Sequence, residues 1–197
     1  MARLFVALNL PEDLRSRLAG LHGGIDGARW VPPENMHITL RFIGDIPEAS
    51  TGDIVEALAD IRSPAIPVTV SGAGRFGSGD RARTLWVGVE KTTEIAALHS
   101  KIDQALIRAG LAPEGRKYMP HVTVARFGGG RGRRGNGPAH TRVMHWLEAH
   151  GGFFALPFAA LEFVLYESHL GRKGPVYTPI AAFPLLSVPG PVDASDA

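Results

Sequence analysis

The sequence contains no cysteine. That absence excludes disulfides, thiolate metal sites and cysteine nucleophiles together. It also lacks any apolar run of the ~18 residues that a membrane span requires, so no transmembrane helix is expected. The N-terminal stretch Arg3-Leu4-Phe5-Val6-Ala7-Leu8 is apolar but short, and no small-residue cleavage site follows it. It reads as a strand and not as a signal peptide. These absences point to a cytoplasmic protein. Lysine is scarce, with 4 against 17 arginines, and the net charge is only +2. The planar fork of arginine suits phosphate, so a phosphate-bearing partner is compatible with the composition. A GC-rich genome would give the same excess. Several catalytic signatures are missing too. There is no Gly-x-Ser-x-Gly elbow, no lysine-bearing phosphate loop, no dinucleotide fingerprint and no His-Glu-x-x-His pair. A hydrolytic metal site usually needs three protein ligands, so none is expected here.

Apolar residues make up 45% of the 197, enough for a substantial core. Residues 3–10 and 36–44 have strand character, as do 66–70, 84–89, 118–127, 158–166 and 177–186. Helical patterns begin after Pro11 and cover 50–61, 93–109 and 140–150. The connections are too irregular for a repeating parallel β-α-β array, so the expected class is α+β with mostly antiparallel sheets. Residues 1–186 read as one domain, and 187–197 as a disordered tail. The Gly/Arg-rich stretch at 128–137 reads either as a mobile basic arm over the active site or as a solvated insertion.

Two segments resemble each other. One is Pro33-Glu34-Asn35-Met36-His37-Ile38-Thr39-Leu40, and the other is Tyr118-Met119-Pro120-His121-Val122-Thr123-Val124. Each half of the chain carries one, like an internal pseudo-repeat. Residues two apart on a strand share a face, so His37 projects with Thr39 and His121 with Thr123. Ile38, Leu40 and Phe42 would point the other way, as would Val122 and Val124. None of the other six histidines precedes a hydroxyl residue at this spacing. Two such motifs, each with apolar residues after both His and Thr, are expected by chance roughly 1% of the time.

The paired motif resembles that of the two-histidine (2H) phosphoesterase superfamily. The closer match is its bacterial and archaeal branch, the RNA 2',3'-cyclic phosphodiesterases, also called 2'-5' RNA ligases. Supporting stretches are Arg3–Leu8, Trp30–Gly44, Pro120–Arg126 and Leu165-Tyr166-Glu167-Ser168. The resemblance implies two similar lobes, each an antiparallel sheet with outer helices, facing a shared central cleft. It implies His37 and His121 as the catalytic pair, with His121 as base toward water and His37 as acid toward the 3' oxygen. It implies Thr39, Thr123 and Arg126 as substrate-binding residues, no metal, no cofactor, and a monomer. The expected partner is RNA or an oligonucleotide with a 2',3'-cyclic phosphate end, opened to a 2'-phosphate. Alternatives are a small cyclic nucleotide such as ADP-ribose 1'',2''-cyclic phosphate, a non-catalytic RNA-end binding module, and weak ligation at the same site. Strict alternation sets Arg126 on the face opposite His121, so it reaches the cleft only if a bulge intervenes. By the same parity Arg41 joins His37 as a second cation.

Overall fold

A computed structural model describes residues 1–77, 82–127, 140–171 and 174–186. The Gly/Arg stretch at 128–137 and the tail from Ser187 lie outside them. Among the described residues there are nine strands and four α-helices. In chain order these are β1 (Ala2–Asn9), α1 (Glu12–Ala19), β2 (Ala28–Trp30), β3 (His37–Ile46), α2 (Thr51–Ala59), β4 (Ile66–Phe76) and β5 (Thr84–Val89). There follow α3 (Thr93–Arg108), β6 (His121–Phe127), α4 (His140–His150), β7 (Phe154–Ala160), β8 (Glu162–Gly171) and β9 (Gly174–Pro184). No helix among the described residues is long and apolar enough to cross a membrane.

The strands run in the order β7-β4-β5-β6-β3-β1-β8-β9, all antiparallel, and β2 adds to the free part of β6. One residue pair, Ile38 with Val122, joins β3 to β6. So thin a seam divides the sheet into two lobes of the same design, β3-β1-β8-β9 and β6-β5-β4-β7. The expected α+β architecture of two facing lobes is the one found.

The lobes do not follow the halves of the sequence. The β8–β9 hairpin from the C-terminal end completes the lobe that β1 and β3 begin, whereas β4 from the first half belongs to the other. A strand–helix–strand unit alone offers two strands, and an independently stable sheet needs three or more with one face covered. The single strand expected at 158–166 is two strands, broken at Leu161 where the chain passes from one lobe to the other. No glycine or proline marks that crossing, so local punctuation carries no signal of it. β4 runs on past Val70 through the glycine-rich stretch to Phe76, beyond the strand expected at 66–70. There a Cβ on Gly74 would collide with the indole of Trp86 on β5.

The core lies between the outer face of the sheet and the helices. Ile38, Leu40, Val122 and Val124 are fully buried there. α3 packs against β3 and β4 and buries Ile95, Leu98, Ile102, Ala105 and Leu106, at the spacing of one helical face. Its first turn is capped by Thr92, whose hydroxyl oxygen accepts from Ile95 N–H at 3.3 Å. The apolar residues of both motif strands are thereby buried behind the sheet.

Candidate active site

Both histidines sit at the first residue of a central strand, next to the seam. His37 opens β3 after a 3-10 turn over Pro33–Asn35, and His121 opens β6 after Met119-Pro120. Nδ1 of His37 lies 2.8 Å from the carbonyl oxygen of Asn35, and Nδ1 of His121 lies 2.8 Å from that of Met119. A carbonyl only accepts, so Nδ1 is the donor in both rings. That fixes the tautomer and leaves Nε2 of each neutral ring as a proton acceptor.

The Ile38–Val122 pairing sets the rest of the geometry. Continued by one residue each way, this antiparallel register brings His37 across from Thr123 and Thr39 across from His121, all on one face. The histidines are then diagonal neighbours, about 7–8 Å apart along the sheet. A phosphate between them is within reach of both rings.

Beyond the threonines both strands depart from strict alternation. In β3 the pairing with β1 slips between Val6/Arg41 and Ala7/Thr39, which leaves Leu40 as an extra residue. In β6 the pairing with β5 slips between Leu85/Ala125 and Trp86/Thr123, which leaves Val124 extra. The carbonyl of Val124 is used by Val31 N–H at 2.9 Å. These bulges exchange the faces of the residues immediately beyond them. Arg126 turns to the cleft side, whereas Ala125 joins Val124 in the core.

The same shift overturns the parity expectation for Arg41 and Phe42. Arg41 points away from the cleft and is 7% exposed, while Phe42 is 38% exposed under the Arg3 guanidinium. Arg41 donates to Asp103 Oδ1 at 2.7 Å, Glu114 Oε2 at 3.3 Å, Ala112 O at 2.6 Å and Phe42 O at 2.7 Å. It is a buried brace between β3, α3 and the segment leading to His121, not a second cation of the cleft.

Aromatic rings that neither motif indicates enclose both imidazoles. Phe5 and Tyr177 lie 4.8 and 5.2 Å from His37, ring centre to ring centre, and Phe76 lies 4.9 Å from His121. A cavity of about 220 Å³ opens beside His37, with Tyr166, Arg15 and Glu34 among its lining residues. These residues come from four separated stretches, so no spacing rule brings them together. Phe5, Glu34 and Tyr166 had a signal, lying within stretches that carried the family resemblance, whereas Arg15, Phe76 and Tyr177 had none. Among the described residues no cluster of three His, Asp or Glu side chains is arranged to hold a metal ion.

Burial lowers the pKa of His37 to about 4, against the opposing effect of its bond to Asn35, with Arg126 and His121 adding to the drop. His121 is also lowered, chiefly by burial, against the opposing effect of its bond to Met119 and with a smaller contribution from Arg126. The Arg126 guanidinium lowers both rings, as a positive charge on the cleft side does. A pair that must hold one proton is then best populated on the acid side of the ordinary histidine range, since both rings are lowered. The bell of kcat/KM against pH, which reports the free protein, is expected to peak in that acid window. Stability is linked to the same groups. A histidine with a depressed folded-state pKa contributes fully above about 6.5, and the contribution is lost as pH falls toward 4. For His37 this loss is roughly 3 kcal/mol. A kcat/KM optimum above pH 7, with a melting temperature flat from pH 7 to 4, would show that neither ring is desolvated.

Known proteins resemble this chain along most of its length. The family model described as LigT like Phosphoesterase matches residues 8–86 and again 87–177, one match around each motif. An RNA 2',3'-cyclic phosphodiesterase of Aeropyrum pernix is 34% identical over 165 residues, covering 83% of this chain and 88% of its own. Its namesake in Methanothermobacter thermautotrophicus is 30% identical over 189 residues, covering 93% and 98%. Another, from Geobacillus stearothermophilus, is 30% identical over 191 residues, and there the match spans only 58% of the relative's length. Among solved structures, E. coli LigT complexed with 3'-AMP superposes with a TM-score of 0.73 at 25% identity, covering 93% of this chain and 98% of that one.

Proposed function

This chain belongs to the LigT-like phosphoesterase family, and we propose on that basis that it hydrolyses 2',3'-cyclic phosphate ends of RNA to 2'-phosphates by metal-independent acid/base catalysis. The observation that carries the reading is the matched pair of imidazoles. Each has Nδ1 tied to a carbonyl two residues back, and they lie diagonally across one seam.

The chemistry follows from what hydrolysis of the ring requires. Water attacks phosphorus in line with the leaving 3' oxygen. The P–O bond to the 2' oxygen remains, the new P–O bond takes the hydroxyl, and the 3' oxygen leaves with a proton. One group must accept a proton on one side of phosphorus while another supplies one on the far side. Nε2 of His121 takes the water's proton, and Nε2 of His37 gives one to the 3' oxygen. The nucleoside stays attached to the leaving oxygen, so room is needed on the side of His37, where the cavity lies. Burial keeps His37 neutral in the free protein. An anionic phosphate against the ring favours its charged form and so prepares the acid. Thr39 and Thr123 donate hydrogen bonds to the non-bridging oxygens, and the positive charge of Arg126 acts on them from further along the cleft.

The test is incubation of a 2',3'-cyclic mononucleotide and a cyclic-ended oligonucleotide in EDTA, with the product isomer assigned by phosphorus NMR. Full turnover to 2'-phosphate is expected. Activity lost in EDTA and restored by zinc or manganese would defeat the two-histidine mechanism. Binding without turnover would leave an RNA-end binding module. Turnover of ADP-ribose 1'',2''-cyclic phosphate alone would move the substrate to the small nucleotides.

A further inference from the structure

Arg29 in β2 stands directly across from Arg126 in β6. Directly opposed residues of an antiparallel pair leave the same face of the sheet with their Cβ atoms about 4.5–5.5 Å apart, where like charges repel. That face is the cleft. The neighbours of Arg29, Ala28 and Trp30, pack on the core side, with Trp30 stacked on His22 at 5.0 Å. Arg126 is on the cleft side because Val124 is bulged. Thr84 of β5 flanks Arg126 from its other edge. Among the described residues neither arginine has an ion pair or a hydrogen bond. Arg41, Arg116 and Arg142, by contrast, are each paired with a carboxylate.

Two arginines set directly opposite each other without a carboxylate partner favour a single anion between them. Their place in the cleft says which anion. With Val124 looped out, Arg126 lies two strand steps beyond Thr123, about 7 Å from it along β6. The pair therefore sits roughly one nucleotide further along the cleft than the phosphate held between His37 and His121.

We propose that Arg29 and Arg126 together grip the phosphodiester immediately upstream of the cyclic end, so that the protein acts on oligonucleotide ends in preference to free cyclic mononucleotides. This rests on the reading of His37 and His121 as the catalytic pair. Each guanidinium offers two parallel donors to a phosphate, and the Thr84 hydroxyl can supply a further one. Interactions of this kind position the strand and read no bases, so the preference is for length and not for sequence.

Three substrates separate the possibilities: a 2',3'-cyclic mononucleotide with a 5'-hydroxyl, a dinucleotide with a cyclic end, and the same dinucleotide with a neutral methylphosphonate linkage. In the wild type the charged dinucleotide is expected to exceed the other two in kcat/KM by about 10- to 100-fold, the worth of a hydrogen bond to a charged group. Arg29→Gln should lower the ratio of charged dinucleotide to mononucleotide by about 10-fold or more. Arg29→Lys, a point charge without the fork, should restore it only in part. The salt slope of dinucleotide affinity should fall by about 0.7, because one cation fewer neutralises the strand. The melting temperature of Arg29→Gln is expected to equal or exceed that of the wild type, because one of two facing charges is gone. Equal kcat/KM on all three substrates, or a ratio unchanged by Arg29→Gln, would overturn the inference while the catalytic reading stands. A substantial fall in melting temperature would make Arg29 a brace of the sheet and overturn it too. No turnover of any of the three would instead sink the catalytic reading itself.

Discussion

Replacing either His37 or His121 with alanine is expected to lower kcat by about 10²–10⁴-fold, the usual contribution of a positioned acid or base. The two losses should be less than additive, since both groups act on one displacement at one phosphorus. Each single variant should also lose one limb of the pH bell. Thr39→Ala and Thr123→Ala provide the contrast. Each removes a hydrogen bond to a charged oxygen, worth roughly 1.5–3 kcal/mol, so the loss should be about 10- to 150-fold and partly visible in KM. The measurement is steady-state kinetics on a 2',3'-cyclic nucleotide, with circular dichroism to show that each variant is folded. Near-wild-type turnover in a folded His→Ala variant would leave that histidine as a strand residue bonded to its own backbone, and the proposed mechanism would fall with it.

The second large effect is on stability. Arg41→Met is expected to destabilise the protein by about 3–5 kcal/mol, as removal of one partner from a buried ion pair does. The reason is what remains. The side chains of Asp103 and Glu114 are only 19% and 17% exposed, and both would lose a charged donor without gaining water to replace it. Ala112 O and Phe42 O would lose their donors as well. Arg41→Lys should rescue little, because a single ammonium cannot fork between Asp103, Glu114 and two carbonyls. Arg116→Gln is the control. Arg116 also bonds Glu114, but its side chain is 77% exposed, and an exposed pair is worth about 0–1 kcal/mol. Urea unfolding decides the matter. A large shift of midpoint for Arg41→Met at constant slope is expected, with almost none for Arg116→Gln. Equal, small shifts in both would mean that the buried network contributes nothing net.

Whatever depends on neighbouring residues along one strand was legible without the structure. Alternation with period two is a property of the extended backbone, so His37 with Thr39, and His121 with Thr123, could be read as pairs sharing a face. The apolar residues between them, Ile38, Leu40, Val122 and Val124, could be read as the buried side, and they are. Alternation fails wherever a partner strand imposes an extra residue, and nothing local to Leu40 or Val124 announces the bulge. Strand pairing alone therefore sent Arg41 inward and Phe42 outward, and turned Arg126 to the cleft. The same holds for neighbours brought from distant strands. Tyr177 lies against His37, and Arg29 faces Arg126, because register is set by long-range hydrogen bonding and by core packing on the far side of the sheet. The crossing at Leu161 belongs with these. The apolar run from Phe158 to Tyr166 satisfies either lobe equally well. The choice to leave one sheet for the other rests on β4 and β1 each having an open edge to fill, which is a fact about two sheets and not about nine residues.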